Sequence, residues 1–252
     1  MSKVRLMASR QKLDPDRLSP QDEVLKGLEE DIIFGRLAPG SRLVEDALMA
    51  RFGVTRHFIR EALVKLERRG VVTREPNVGA RVCSYSAEEV EQIYEVREML
   101  TRQAALKIRL PAEETLIKRL TALQEHYKAY AERGNLRGIH ETNDAFHLAL
   151  FSACGNAYLV RSIQDYMGLT LPMRAKNLAD PEGLETSIRQ HQVMIQLLRE
   201  RDNWALAQLC VEHMQFSKFD YLDRIVARRG TGSSRRADDR SVLRHAGRTG
   251  KH

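Results

Sequence analysis

Apolar residues recur along this chain mainly at helical spacing. The first pattern covers about 20–34, where Val24, Leu28 and Ile32 share one face. Gly35, Pro39 and Gly40 then break it. A short second helix is expected over about 44–52, closed by the Gly53-Val54 turn. A third starts at Thr55, a favoured N-cap type, and ends at Gly70 in the C′ position. Its Ile59, Ala62, Leu63 and Leu66 fall at i, i+3, i+4 and i+7, one continuous apolar face. VVTREPNVGARV alternates and turns through Pro76-Asn77 and Gly79, which reads as a two-stranded wing. From Ser86 onward the period is helical throughout: about 87–109, 112–133, 136–153, 156–177, 182–200 and 202–226. Ser86 followed by Glu89 has capping-box spacing at the start of that run. Short breaks at Pro111, Gly134-Asn135, Gly155-Asn156 and residues 180–183 make successive helices antiparallel neighbours.

The expected fold is therefore mainly α. A winged helix-turn-helix over 19–83 precedes an all-α antiparallel helical bundle over 84–226. Residues 1–18 are polar without a sustained period and read as a mobile arm. Residues 227–252 are rich in Gly, Ser and Arg with almost no large apolar side chain, and read as a disordered basic tail.

Composition narrows the classes. The 252 residues are 42% hydrophobic and 30% charged, enough apolar material for real cores. No stretch approaches the roughly 18 apolar residues that span a bilayer, and the N-terminus has no apolar run of signal-peptide length. A cytoplasmic protein with no membrane partner is expected. Cys83, Cys154 and Cys210 are widely spaced without a CxxC pair, so reduced, buried thiols are expected. The net charge of +7 is weak support for nucleic-acid binding, because residues 1–18 carry +3 and 227–252 carry +6, while 19–83 carry +1 and 84–226 carry −3.

The placement of charge says more than its sum. Arg56 and Arg60 lie four apart at the start of the third helix, with His57 beside them, all away from the apolar face. Two helices joined by a tight turn, the second basic at its N-terminal end, have recognition-helix geometry. Arg56 or Arg60 would bond guanine edges, and Thr55 with the helix-start N–H groups would hold phosphate. Plain solvated charges are the alternative.

A second set of residues lies in the bundle. Asn143 and His147 stand at i, i+4 on one helix face. His191 shares its face with Met194, Ile195 and Leu198, and His213 with Leu206, Leu209, Cys210 and Phe216. One interior histidine is usually a hydrogen-bonded core residue. Three from three helices, with an oxygen donor one turn from the first, suit a first-row divalent metal with open positions. Asp144 has the better charge but is rotated about 100° around the helix, so Asn143 is the expected oxygen ligand. An enzyme is not expected: no HExxH occurs and no general base stands near the set.

The pattern G-x-L-x-P-G-x-x-L, L-x-x-x-F-G-V-T-R, R-E-A-L-x-x-L-x-x-x-G resembles the N-terminal reader of GntR-family bacterial transcription regulators. The resemblance implies double-stranded operator DNA as partner. It matches Thr55, Arg56 and Arg60 to DNA-contacting positions and takes the wing tip near Asn77 and Gly79 into the minor groove. His57 replaces a small or hydroxyl residue there, a change that bears on base preference. Asp46 stands where some relatives carry arginine. Further on, N-D-A-F-H-x-A-L-F-x-A-x-G-N, then H-x-x-x-I-x-x-L-x-x-x-D, then His213, is similar to the FCD effector-binding domain of the FadR subfamily. That implies a divalent transition metal of the zinc, nickel or manganese class on Asn143, His147, His191 and His213, with Asn143 where an aspartate is frequent. It also implies a small carboxylate effector, with Arg97 reaching its pocket (an exposed salt bridge is the alternative for Arg97). Thr101 stands where a glutamate is frequent. A homodimer follows, since one reader covers one half-site. The implied function is a ligand-responsive regulator switched by a small organic acid at the metal site. A metal sensor, in which the ion itself is the signal, and a metal-dependent hydrolase are the alternatives.

Overall fold

The computed structural model describes residues 19–75, 78–174 and 180–245, with side chains through residue 227. Ser19 caps the first helix, α1 (Pro20–Ile33), by accepting from the Asp22 N–H, and Pro20 fills the first helical position, where no N–H is needed. After the two-residue strand β1 (Arg42–Leu43) come α2 (Glu45–Phe52) and α3 (Arg56–Arg68). Gly53, at φ 65°, makes the tight turn between them, a conformation that an L side chain resists. Ile59, Ala62, Leu63 and Leu66 of α3 are all buried, packed with Val24, Leu28 and Ile32 of α1 in one core. Thr55 has N-cap backbone geometry, but its hydroxyl makes no capping bond.

The wing is β2 (Val72–Glu75) paired antiparallel with β3 (Gly79–Val82). The sheet has three strands rather than the expected two, in the order β1-β3-β2, with Leu43 opposite Ala80. Two residues are too short to carry a period, so β1 left no sequence signal.

The second region comprises α4 (Ala87–Lys107), α5 (Glu114–Glu132), α6 (Leu136–Ser152), α7 (Ala157–Leu169), α8 (Leu171–Arg174), α9 (Pro181–Leu197) and α10 (Asn203–His245). Ser86 and Glu89 form the full capping box at α4. Helix α5 packs on α6 and α9, α10 packs on α4 and α9, and α4 packs on α7. Among the described residues no helix is long and apolar enough to cross a membrane. The three cysteines are free and buried.

Two helices depart from the sequence reading. The helix expected over 156–177 breaks after Leu169, giving α7 and the four-residue α8. Pro172 lacks the N–H that would bond back into α7, and Thr170 satisfies the Tyr166 carbonyl with its own hydroxyl at 2.8 Å. The last helix does not stop near 226 but continues to His245, across the stretch read as a disordered tail. That run lacks proline and its six Arg are good helix formers, so a helix already nucleated by the bundle extends through Gly230 and Gly232. The expected N-terminal arm, residues 1–18, and the tail's last residues, 246–252, lie outside the described residues.

The reader rests on the bundle through α8. Leu171 belongs to the core of α1 and α3, although it lies in the second region. Gly70, at φ 68°, lies so close to α7 that a Cβ there would be 2.3 Å from Leu169 Cδ1. The Tyr85 hydroxyl donates to Gly70 O at 2.6 Å, and Lys26 pairs with Glu141 at 2.9 Å.

Candidate functional site

The reading face comes first. Arg56, His57 and Arg60 project from the first turns of α3 and are exposed. Arg56 Nη2 meets Asp46 at 2.5 Å, and Arg60 Nε meets both oxygens of Glu45 at 3.0 and 3.1 Å. His57 Nε2 lies 3.5 Å from Glu61. The acids of α2 thus pair with both arginines. Exposed pairs of this kind are weak and easily exchanged. Asp46, out of place against the family pattern as a phosphate contact, is here a partner of Arg56. Gly79, at φ 97°, opens β3 opposite Glu75. Asn77 lies outside the described residues.

The bundle brings His147 of α6, His191 of α9 and His213 of α10 together. His147 Nε2 is 3.1 Å from His213 Nε2 and 3.4 Å from His191 Nε2. The three ligand atoms lie within 4.8 Å of one another. Two glutamines, which the sequence reading missed, orient the rings. Gln124 Nε2 donates to Ile188 O at 2.9 Å, which leaves its Oε1 to accept from His191 Nδ1 at 3.1 Å. Gln190 Oε1 accepts from His213 Nδ1 at 2.7 Å. With Nδ1 carrying the proton, the Nε2 lone pairs of His191 and His213 face inward. Phe146 stacks on His191 at 4.2 Å between ring centroids and fixes its plane.

Burial sets the protonation state. It is the main cause holding His147 and His191 well below the ordinary histidine value, with the neighbouring His213 next. His213 is brought down to about 4 by burial and by the charges of Arg97 and Arg174. With His147 in the tautomer that leaves its Nε2 unprotonated, three neutral imidazoles direct nitrogen lone pairs into one space. The donor set therefore fits a divalent metal, and these three residues could hold one.

A cavity of about 60 Å³ opens beside the triad, lined among others by Arg97, Asn143, His147, Arg174 and His213. Asn143 is buried on its wall. Asp144 does not line it. Its carboxylate accepts from Arg174 Nη1 at 2.8 Å and Nη2 at 3.0 Å, and it lines a second cavity, of about 320 Å³, with Glu29 and Arg69 of the reader. Arg97 is not an exposed salt bridge. It is buried, its guanidinium carbon is 5.5 Å from the Tyr94 ring centroid, and its Nη1 has no hydrogen-bond partner among the described residues. A buried guanidinium nitrogen left without an acceptor in a cavity wall is costly unless an acceptor comes to it. Thr101 is buried too, its hydroxyl 3.6 Å from Met214 Sδ.

Residues 20–82 match the gntR family of bacterial regulatory proteins, and residues 92–216 match the FCD domain. The chain belongs to the GntR family. Like other GntR regulators with an FCD domain, it pairs a DNA-binding module with an effector-binding one, and it is a transcription regulator rather than an enzyme. It is 27% identical over 191 residues to the uncharacterized HTH-type transcriptional regulator YdhC of Bacillus subtilis, a match covering 74% of this chain and 84% of that protein. It is 26% identical over 196 residues to the HTH-type transcriptional repressor RspR of Escherichia coli, covering 77% and 85%. The fold is like that of E. coli McbR/YncC, with a TM-score of 0.67 at 21% identity, covering 83% of this chain and all of that one. In this GntR regulator the missed contributors, Gln124, Gln190 and Arg174, act through hydrogen bonds across helices. No local sequence spacing announces such contacts.

Proposed function

We propose that this GntR regulator binds operator DNA as a cytoplasmic homodimer and is switched by a small organic acid held at a metal in its FCD domain. The observation that carries the reading is the convergence of three neutral histidines beside a cavity whose wall holds the orphaned Nη1 of Arg97. His147, His191 and His213, with Asn143 as the oxygen ligand, would hold the ion. A bound divalent metal with an open position supplies an attachment point for a carboxylate. Arg97 then offers the charge-assisted bonds that orient the acid. The cavity's small size favours an acid of few atoms. Thr55, Arg56, His57 and Arg60 would contact operator DNA in the major groove, with Asn77 and Gly79 of the wing at the minor groove.

Switching is a population shift: the acid must favour one arrangement of reader and bundle over another. The test is operator affinity of the metal-loaded chain with and without an acid identified by thermal shift, at one fixed salt concentration. A change of about 5- to 150-fold is the expected range for coupled sites. Unaltered operator affinity at saturating acid defeats the switch.

A further inference from the structure

Position 143 carries an amide where the family pattern often has a carboxylate, and an amide has two ends. Asn143 Nδ2 donates to Asp144 Oδ1 at 3.3 Å. The same oxygen accepts from Arg174 Nη1 at 2.8 Å, and Asp144 Oδ2 accepts from Arg174 Nη2 at 3.0 Å. This two-pronged pairing fixes both planar groups. Arg174 Nε also donates to Met167 O at 3.3 Å, tying it to α7. Arg174 ends α8, and three residues earlier Leu171 is buried in the reader's core with residues of α1 and α3. One short helix therefore has one end in the reader and the other on the cavity wall.

We propose that Asn143, Asp144 and Arg174 form a relay from the metal centre to the DNA reader, with α8 as its moving part. The relay rests on the metal reading. Once Asn143 Oδ1 is committed to an ion, its amide plane is set and Nδ2 is held toward Asp144. That favours one arrangement of the Asp144–Arg174 pair, hence of α8 and of the core that Leu171 enters. A carboxylate at 143 would attract the ion more strongly. It would also set two anions side by side and remove the donor that position 143 gives Asp144. The amide gives up ligand charge and gains a connection.

The arginine also borders both cavities, the one beside the triad and the one against Glu29 and Arg69. An anion that draws Arg174 toward the triad would loosen the same pair from the other side.

Hydrogen exchange of the full chain, metal-free and saturated with zinc, tests the relay. In the wild type, zinc is expected to slow exchange several-fold around α6 and α9, and also across 167–174 and in α1. In the double variant Asp144→Leu/Arg174→Met, loaded to the same stoichiometry, slowing should remain at α6 and α9 and vanish at α8 and α1. Removing both partners together leaves neither member of the pair as a lone buried charge, so this variant should fold. Should it not, Asn143→Asp carries the test: zinc binds at least as well, yet slowing at α8 falls. Equal slowing of α8 and α1 in a zinc-loaded variant overturns the relay, as does wild-type zinc binding that leaves α8 unprotected. A wild-type chain that takes up no zinc, or a His191→Ala chain that takes up as much, overturns the metal reading and the relay with it.

Discussion

Gln124 has two hydrogen-bonding ends and both are used, one on Ile188 O and one on His191 Nδ1. It fixes which nitrogen of His191 is free for a ligand. Gln124→Leu keeps the approximate shape and removes the acceptor, and should cost about 10- to 100-fold in metal affinity, read by competition with a chelating dye. Unchanged affinity would mean the tautomer is held by something else. The choice between two oxygen donors also belongs to single residues. Asn143→Ala should weaken metal binding more than Asp144→Ala, because Asp144 does not line the triad's cavity and is bonded to Arg174 and to the Asn143 amide instead. The reverse order in the same assay shows that the carboxylate is the ligand. Here the sequence spoke partly. His147, His191 and His213 could be singled out because each interrupts an apolar face. The partners that orient them could not, since Gln124 is 67 residues from His191 and a glutamine on a helix carries no signal of its own.

Helix α3 was the most legible element. Its apolar face at 59, 62, 63 and 66 is the buried one, as its period requires. What the period could not give is the ion pairing of the opposite face, where Glu45 and Asp46 of α2 hold Arg60 and Arg56. Arg60→Ala should reduce specific operator affinity by about 1–3 kcal/mol and relax preference at one base position if Arg60 reads a base. A uniform loss across sequences, with a shallower salt dependence, would make it a phosphate contact instead. The elements that escaped the sequence are the short ones. A two-residue strand and a four-residue helix contain too few positions to show periodicity, yet β1 completes the wing sheet and α8 joins the two regions.

The whole molecule places a buried polar centre some helices away from an exposed reading face, with Leu171 and Gly70 at the seam. How the two regions meet was not legible, because the contact depends on scattered residues such as Leu171, Tyr85 and Lys26, whose partners lie far away in sequence. All functional consequences proposed for the bundle depend on the triad holding an ion. Isothermal titration of the metal-free full chain with zinc, beside His191→Ala, tests this most directly. About one ion per chain is expected for the wild type, as a three-histidine site demands, with that binding lost in the variant. Equal stoichiometry and affinity in both proteins would contradict it.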